Sequence, residues 1–146
     1  MIEIKILRLK HNKTIPEYKT DGSSGMDLSA AIDEPVELKP LERKLIPTGI
    51  KVEIPKGYEI QVRARSGLSI KHGITLINAV GTIDSDYRGE LCVPLVNLSS
   101  EVYTITPDER VAQMVVCKVE YPKITVTEQL SETVRGTGGF GSTGKN

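Results

Sequence analysis

Tryptophan is absent from this chain and phenylalanine occurs once, at Phe140. Its place in the C-terminal tail wastes it as a core residue. Charge of one sign is also missing: 19 basic residues stand against 19 acidic ones, for a net charge of zero. Proteins that grip a nucleic-acid polymer usually carry a basic excess, so this balance argues against such a partner. No run of about eighteen apolar residues occurs, which argues against a transmembrane helix and a membrane partner. The N-terminal stretch Met1-Ile2-Glu3-Ile4-Lys5 lacks a signal-peptide pattern. Cysteine is limited to Cys92 and Cys117, with no C-x-x-C spacing. That fits a reducing, cytoplasmic setting (the nucleus or host cytoplasm for a eukaryotic or viral source) and predicts two buried thiols. His11 and His72 are too few for a histidine-based metal site and read as surface or packing residues.

What is present is a succession of short alternating runs. Ile2, Ile4 and Ile6 alternate with Glu3 and Lys5; Tyr58, Ile60, Val62 and Ala64 alternate with Glu59, Gln61, Arg63 and Arg65. Period two with β-branched residues reads as half-buried strand. Further strands are expected at 28–32, 36–39, 44–47, 49–54, 74–77, 90–98, 102–105, 111–119 and 124–127, punctuated by prolines such as Pro35, Pro55 and Pro107. Many strands at near-regular spacing in 146 residues predict a single all-β domain, closed or sandwiched. Only Ser66–Gly73 looks helical, with Ser66 as a candidate N-cap and Gly73 suited to the left-handed C-terminal position. The Arg65-Ser66-Gly67 start offers free N–H groups for an anion, although a plain connector explains the triplet as well.

The polar stretch Asn78–Glu90 lies between two apolar strands and reads as a wide hairpin. Loops held by rigid strands concentrate function. Asp84 follows Ile83, and contact with apolar surface would raise its basicity toward general-base use. Asp86 and Arg88 are expected to form a solvated pair.

The last twelve residues, Arg135–Asn146, hold five glycines and the single Phe. Such a segment cannot offset its ordering entropy alone. A tail without a role explains it equally; alternatively it closes over a flat, anionic ligand, with Phe140 stacking and Arg135 gripping the charge. The run Gly139–Lys145 matches G-x-x-x-x-G-K, but Asn146 follows in place of Ser or Thr and no helix comes after, which rejects a P-loop.

Taken together, these residues resemble the homotrimeric dUTPase family. Ser24-Gly25-Met26-Asp27-Leu28, Arg65-Ser66-Gly67, Asn78–Glu90, Arg110-Val111-Ala112-Gln113 and Arg135–Gly144 match its five motifs in order, over nearly the whole chain. The resemblance implies a distorted jelly-roll barrel with one short helix, a β domain over 1–134 and a mobile arm over 135–146 that closes the site. It implies Mg²⁺-dependent hydrolysis of dUTP to dUMP and pyrophosphate, which limits uracil in DNA and supplies dUMP for thymidylate synthesis. Asp84 would orient and deprotonate the water that attacks the α-phosphorus. Arg65, Ser66, Gly67, Gln113, Arg135, Ser142 and Thr143 would bind phosphates, with Arg110 in support. Asn78, Gly81, Thr82, Ile83 and Cys92 would read uracil, Tyr87 would pack on deoxyribose, and Phe140 with Gly141 would cover the base. Magnesium would ride on the phosphates, with Asp27 touching its water shell. Three sites would be shared in a homotrimer. Ala64 and Val80 depart from the family, standing where relatives often have Pro, and Ser24 replaces a frequent Ala. Two other readings compete: a dCTP deaminase on the same fold, and a regulatory nucleotide-binding protein that works through protein contacts.

Overall fold

The computed structural model describes residues 2–141. Ten strands and one helix follow in the order β1 Lys5–Arg8, β2 Gly25–Ser29, β3 Val36–Leu38, β4 Arg43–Glu53, β5 Tyr58–Arg63, α1 Ser66–His72, β6 Ile74–Leu76, β7 Val80–Ile83, β8 Glu90–Asn97, β9 Tyr103–Ile105 and β10 Arg110–Lys118. They form an antiparallel sheet ordered β1-β4-β8-β6, a second ordered β2-β10-β5-β7, and a β3-β9 ribbon. This is the all-β architecture that the spacing of short strands predicts, with the jelly-roll-like form that the family resemblance implies.

Alternation turns one face of each strand inward. Ile46, Ile50, Leu91, Val93 and Leu95 of the first sheet meet Ile60, Val62 and Met114 of the second in one aliphatic core that contains no Phe or Trp. Each such fully buried aliphatic side chain contributes about 1.5–3 kcal/mol relative to exposure. Three polar side chains are buried with it: Asn12, Thr48 and Asn97. Thr48 Oγ1 donates to the Leu91 carbonyl at 2.5 Å, and Asn97 Nδ2 donates to the carbonyls of Leu38 and Glu101.

Several expectations need correction. The strands expected at 44–47 and 49–54 merge into one, β4 over Arg43–Glu53, whose register against β8 shifts between Pro47 and Lys51. The first motif lies in a strand that starts at Gly25, ahead of the expected 28–32. The N-cap of α1 is Arg65, with no side-chain capping bond, and Ser66 is the first helical residue. Gly73 does take the left-handed position (φ 67°), where a Cβ would come within 2.9 Å of the Ser99 amide nitrogen. Cys92 and Cys117 are half-buried, since both lie on outward-facing rows of their strands. The stretch 124–127 forms no strand, and none occurs from 119 to 141. Its Ile124 and Val126 are exposed, and no strand among the described residues pairs with them.

Candidate active site

The hairpin β6–β8 is paired only from Ile74↔Asn97 to Leu76↔Leu95. Beyond that the two arms part. The first arm passes through Asn78, which is exposed, and Ala79 (φ 62°), then becomes β7 and pairs with β5 of the other sheet, from Arg63↔Val80 to Ile60↔Ile83. A four-residue strand therefore lies inside what the sequence presents as loop. β7 is the edge of its sheet, so one row of its main-chain groups is free of ladder bonds. The stretch of β8 near Glu90–Cys92 pairs with β4 on one side and has lost β6 on the other. A cleft of about 260 Å³ opens where the arms part, lined by Leu45, Thr82, Ile83, Asp84, Tyr87, Glu90 and Cys92. Gly81 is buried behind it against Val62.

One turn carries Asp84 and Tyr87 at its two ends, with the Tyr87 amide donating to the Asp84 carbonyl at 3.1 Å. Asp84 is exposed in the single chain, so the apolar cover expected for it is not supplied by its own subunit. Asp86 and Arg88 form no ion pair; instead Arg88 Nη1 donates to the Ser85 and Tyr87 carbonyls at 2.8 and 2.9 Å. The turn's own carbonyls offer the guanidinium a closer, fixed set of acceptors than a solvated carboxylate. Burial, and then the charge of Glu90, hold the Cys92 thiol above its ordinary pKa, so the cleft floor is a neutral thiol.

A second cluster forms at the opposite end of β5. Asp27 on β2 accepts from Arg65 Nε through Oδ1 and from Arg110 Nη1 through Oδ2, both at 3.0 Å. Arg65 Nη1 also donates to the Arg110 carbonyl at 2.9 Å. The Asp27 carboxylate thus holds two guanidinium groups side by side. Gln113 Nε2 donates to the Ala64 carbonyl at 3.0 Å, fixing the residue before Arg65. Ser66 and Gly67 are exposed at the helix start. Asp27 and Arg110 line a cleft of about 490 Å³ with Lys19 and Asp108. A hard dication wants several oxygen ligands. Both Asp27 oxygens already serve cations, and no cluster of three or more His, Cys, Asp or Glu able to hold a metal occurs among the described residues.

Behind this cluster lies a bond that sequence reading missed. Tyr103 Oη donates to Glu109 Oε1, while Glu109 Oε2 accepts from the Thr106 amide at 2.9 Å. Glu109 immediately precedes Arg110, so the pair braces the arginine's backbone. Tyr and Glu six residues apart across the turn that links β9 to β10 are the only signal for it in the sequence. Burial first, then the bond to Glu109 and its charge, raise the Tyr103 pKa well above its ordinary value. A raised folded-state value means stability that is fully present below the ordinary tyrosine pKa and lost as pH climbs toward the folded one. Tyr103→Phe is therefore expected to flatten the loss of melting temperature between about pH 9 and about pH 11. Thermal melts of both proteins across that range check it; parallel curves would contradict it.

The remaining residues do not join either cluster. Arg135 Nε donates to the Gly138 carbonyl at 2.8 Å, and Phe140 (φ 51°) is fully exposed, with Gly141 beside it. Ser142 and Thr143 lie outside the described residues. No helix among the described residues is long and apolar enough to cross a membrane.

With this geometry in hand, comparison with known proteins is informative. The family model for dUTPase matches residues 11–144. The deoxyuridine 5'-triphosphate nucleotidohydrolase of Finegoldia magna is 59% identical over 143 residues, covering 98% of this chain and 99% of the relative. That of Fusobacterium nucleatum is 56% identical over 144 residues, covering 99% and 98%. Among solved structures, a dUTPase of Staphylococcus bacteriophage 80alpha with dUpNHpp superposes with a TM-score of 0.88 at 28% identity, covering 99% of each chain. A phage phi11 dUTPase, described for its coordination of a structural Mg(II) ion, gives 0.79 at 25% identity, over 88% of this chain and 98% of that one. On sequence, on fold and over nearly its whole length, this chain belongs to the dUTPase family.

Proposed function

We infer that this protein hydrolyses dUTP to dUMP and pyrophosphate. The observation that carries the reading is the parted hairpin, where a cleft lined by β7 and β8 also takes in Asp84 and Tyr87 from one turn. Unladdered main-chain groups of β7 and β8 suit the edge of a uracil ring, with Asn78 beside them. A narrow slot rejects a 5-methyl group by clash and cytosine by leaving buried polar groups unpaired. Tyr87 stands where a deoxyribose would lie. Asp84 takes the proton of the attacking water, a role worth about 10²–10⁴ in rate.

Asp84 and Arg65 cannot meet within one chain. Asp84 follows the Ile60↔Ile83 pair, and Arg65 lies five residues further along from Ile60. Asp84 lies one residue beyond that pair in the other direction, so six residues at about 3.3 Å each separate them by about 20 Å. A base and phosphate donors acting at one triphosphate need closer approach, which supports an assembly in which one copy's Arg65, Ser66, Gly67 and Gln113 face another copy's cleft. A homotrimer with three shared sites meets that need. It also gives residues 135–146 a place to act, as an arm that brings Arg135, Phe140, Gly141 and Ser142 over the nucleotide. Magnesium bound with dUTP would neutralise charge on the phosphates; Asp27 sets the two guanidinium groups and would face the ion's water shell.

Pyrophosphate release measured with dUTP, dTTP, dCTP and UTP in Mg²⁺ tests the reading. Release from dUTP alone is expected. Ammonia from dCTP would favour the deaminase, and release from none would favour a nucleotide-binding regulator.

A further inference from the structure

The turn that presents Asp84 also immobilises the Tyr87 ring. Tyr87 Oη donates to the Glu90 carbonyl at 3.0 Å, and the Tyr87 amide is tied to the Asp84 carbonyl. The ring thus folds back over Gly89, one of the two residues between. A Cβ at Gly89 would stand 2.2 Å from Tyr87 Oη, 2.4 Å from Cζ and 2.9 Å from Cε2. No side chain fits beneath the ring. The requirement comes from this contact, because Gly89 is not among the residues with positive φ. Glu90, which receives the hydroxyl, is pinned in turn: its Oε1 accepts from the Gly49 amide and pairs with His11 Nε2, each at 2.8 Å.

We propose that Gly89 is a specificity-determining residue, whose bare peptide seats the Tyr87 ring and so sets how strongly the cleft discriminates deoxyribose from ribose. The proposal rests on dUTP hydrolysis with Tyr87 at the sugar. The atoms that a new methyl would strike are the far end of a movable side chain. Gly89→Ala therefore displaces the ring, while Glu90 and the β8 ladder stay in place. A displaced ring no longer packs from its wild-type seat, so the contact that would separate deoxyribose from ribose is lost. The lost contact is of the size that separates substrates differing by one small group.

The test is kcat and KM for dUTP and for UTP on the full-length protein, its Gly89→Ala variant, and Tyr87→Phe, which keeps the ring but loses the bond to Glu90. The expected result is a fall of about tenfold or more in the dUTP-over-UTP ratio of kcat/KM for Gly89→Ala, arising mainly from a lower KM for UTP, with a smaller fall for Tyr87→Phe. An unchanged ratio overturns the proposal, as does an equal loss on both nucleotides, which is what a merely structural role would give. If Gly89→Ala does not fold, Tyr87→Phe decides: a reduced ratio supports the seat and an unaltered one overturns it. A wild-type protein that releases no pyrophosphate from dUTP would instead remove the function on which the proposal stands.

Discussion

Asp84→Asn is expected to lower kcat for dUTP by about 10²–10⁴ while nucleotide affinity changes little. Asparagine matches aspartate in shape but cannot accept a proton from water. The turn should survive the exchange, because Tyr87 is held by the main-chain carbonyl of residue 84 and Arg88 holds the carbonyls of Ser85 and Tyr87. The side chain of Asp84 makes no hydrogen bond or ion pair among the described residues, so its replacement leaves no partner stranded. Single-turnover kinetics alongside calorimetric binding of a non-hydrolysable dUTP analogue separate the two effects. Wild-type turnover in the variant would remove Asp84 from the chemistry, and lost binding would make it a substrate contact.

Ending the chain after Val134 is expected to reduce kcat/KM by about 10³ or more, the scale of losing a phosphate-gripping arginine delivered from a distance. Arg135 and Phe140 leave together. Nothing in the β domain depends on them: Arg135 bonds to Gly138 within the same segment, and Phe140 is exposed. Melting temperature and sedimentation should stay at wild-type values while activity falls. A truncated protein that works normally would return the tail to the role-free reading that its composition also allows.

The sequence made the local features legible and hid the pairings. Tyr58–Arg63 alternates cleanly and is β5. The five motifs named the family, and Gly73 ended the helix where its conformational freedom is needed. Val80–Ile83 stayed hidden because it is short, contains a glycine and sits in polar surroundings; it is a strand only because β5, some twenty residues earlier, offers an edge. The converse error at 124–127 has the same root, since Ile-Thr-Val-Thr has strand chemistry without a partner. Asp27 illustrates the limit for the site. Its partners Arg65 and Arg110 lie 38 and 83 residues away, and no spacing rule reveals that one carboxylate serves both. The cover expected over Asp84 failed for a related reason: a neighbour in sequence, Ile83, does not determine which side of an edge strand faces solvent.

The β5–β7 ladder has a consequence for inheritance. Its two ends carry the two halves of the proposed chemistry, so in the proposed shared-site assembly each copy would lend one half to a neighbour and borrow the other. Damage at either end is then felt in a site that the damaged copy does not complete alone. In a cell making both intact and defective chains, the defective ones would be absorbed into mixed assemblies and would degrade their neighbours' sites. Two chains defective at opposite ends could, by the same sharing, rebuild a working site that neither forms by itself.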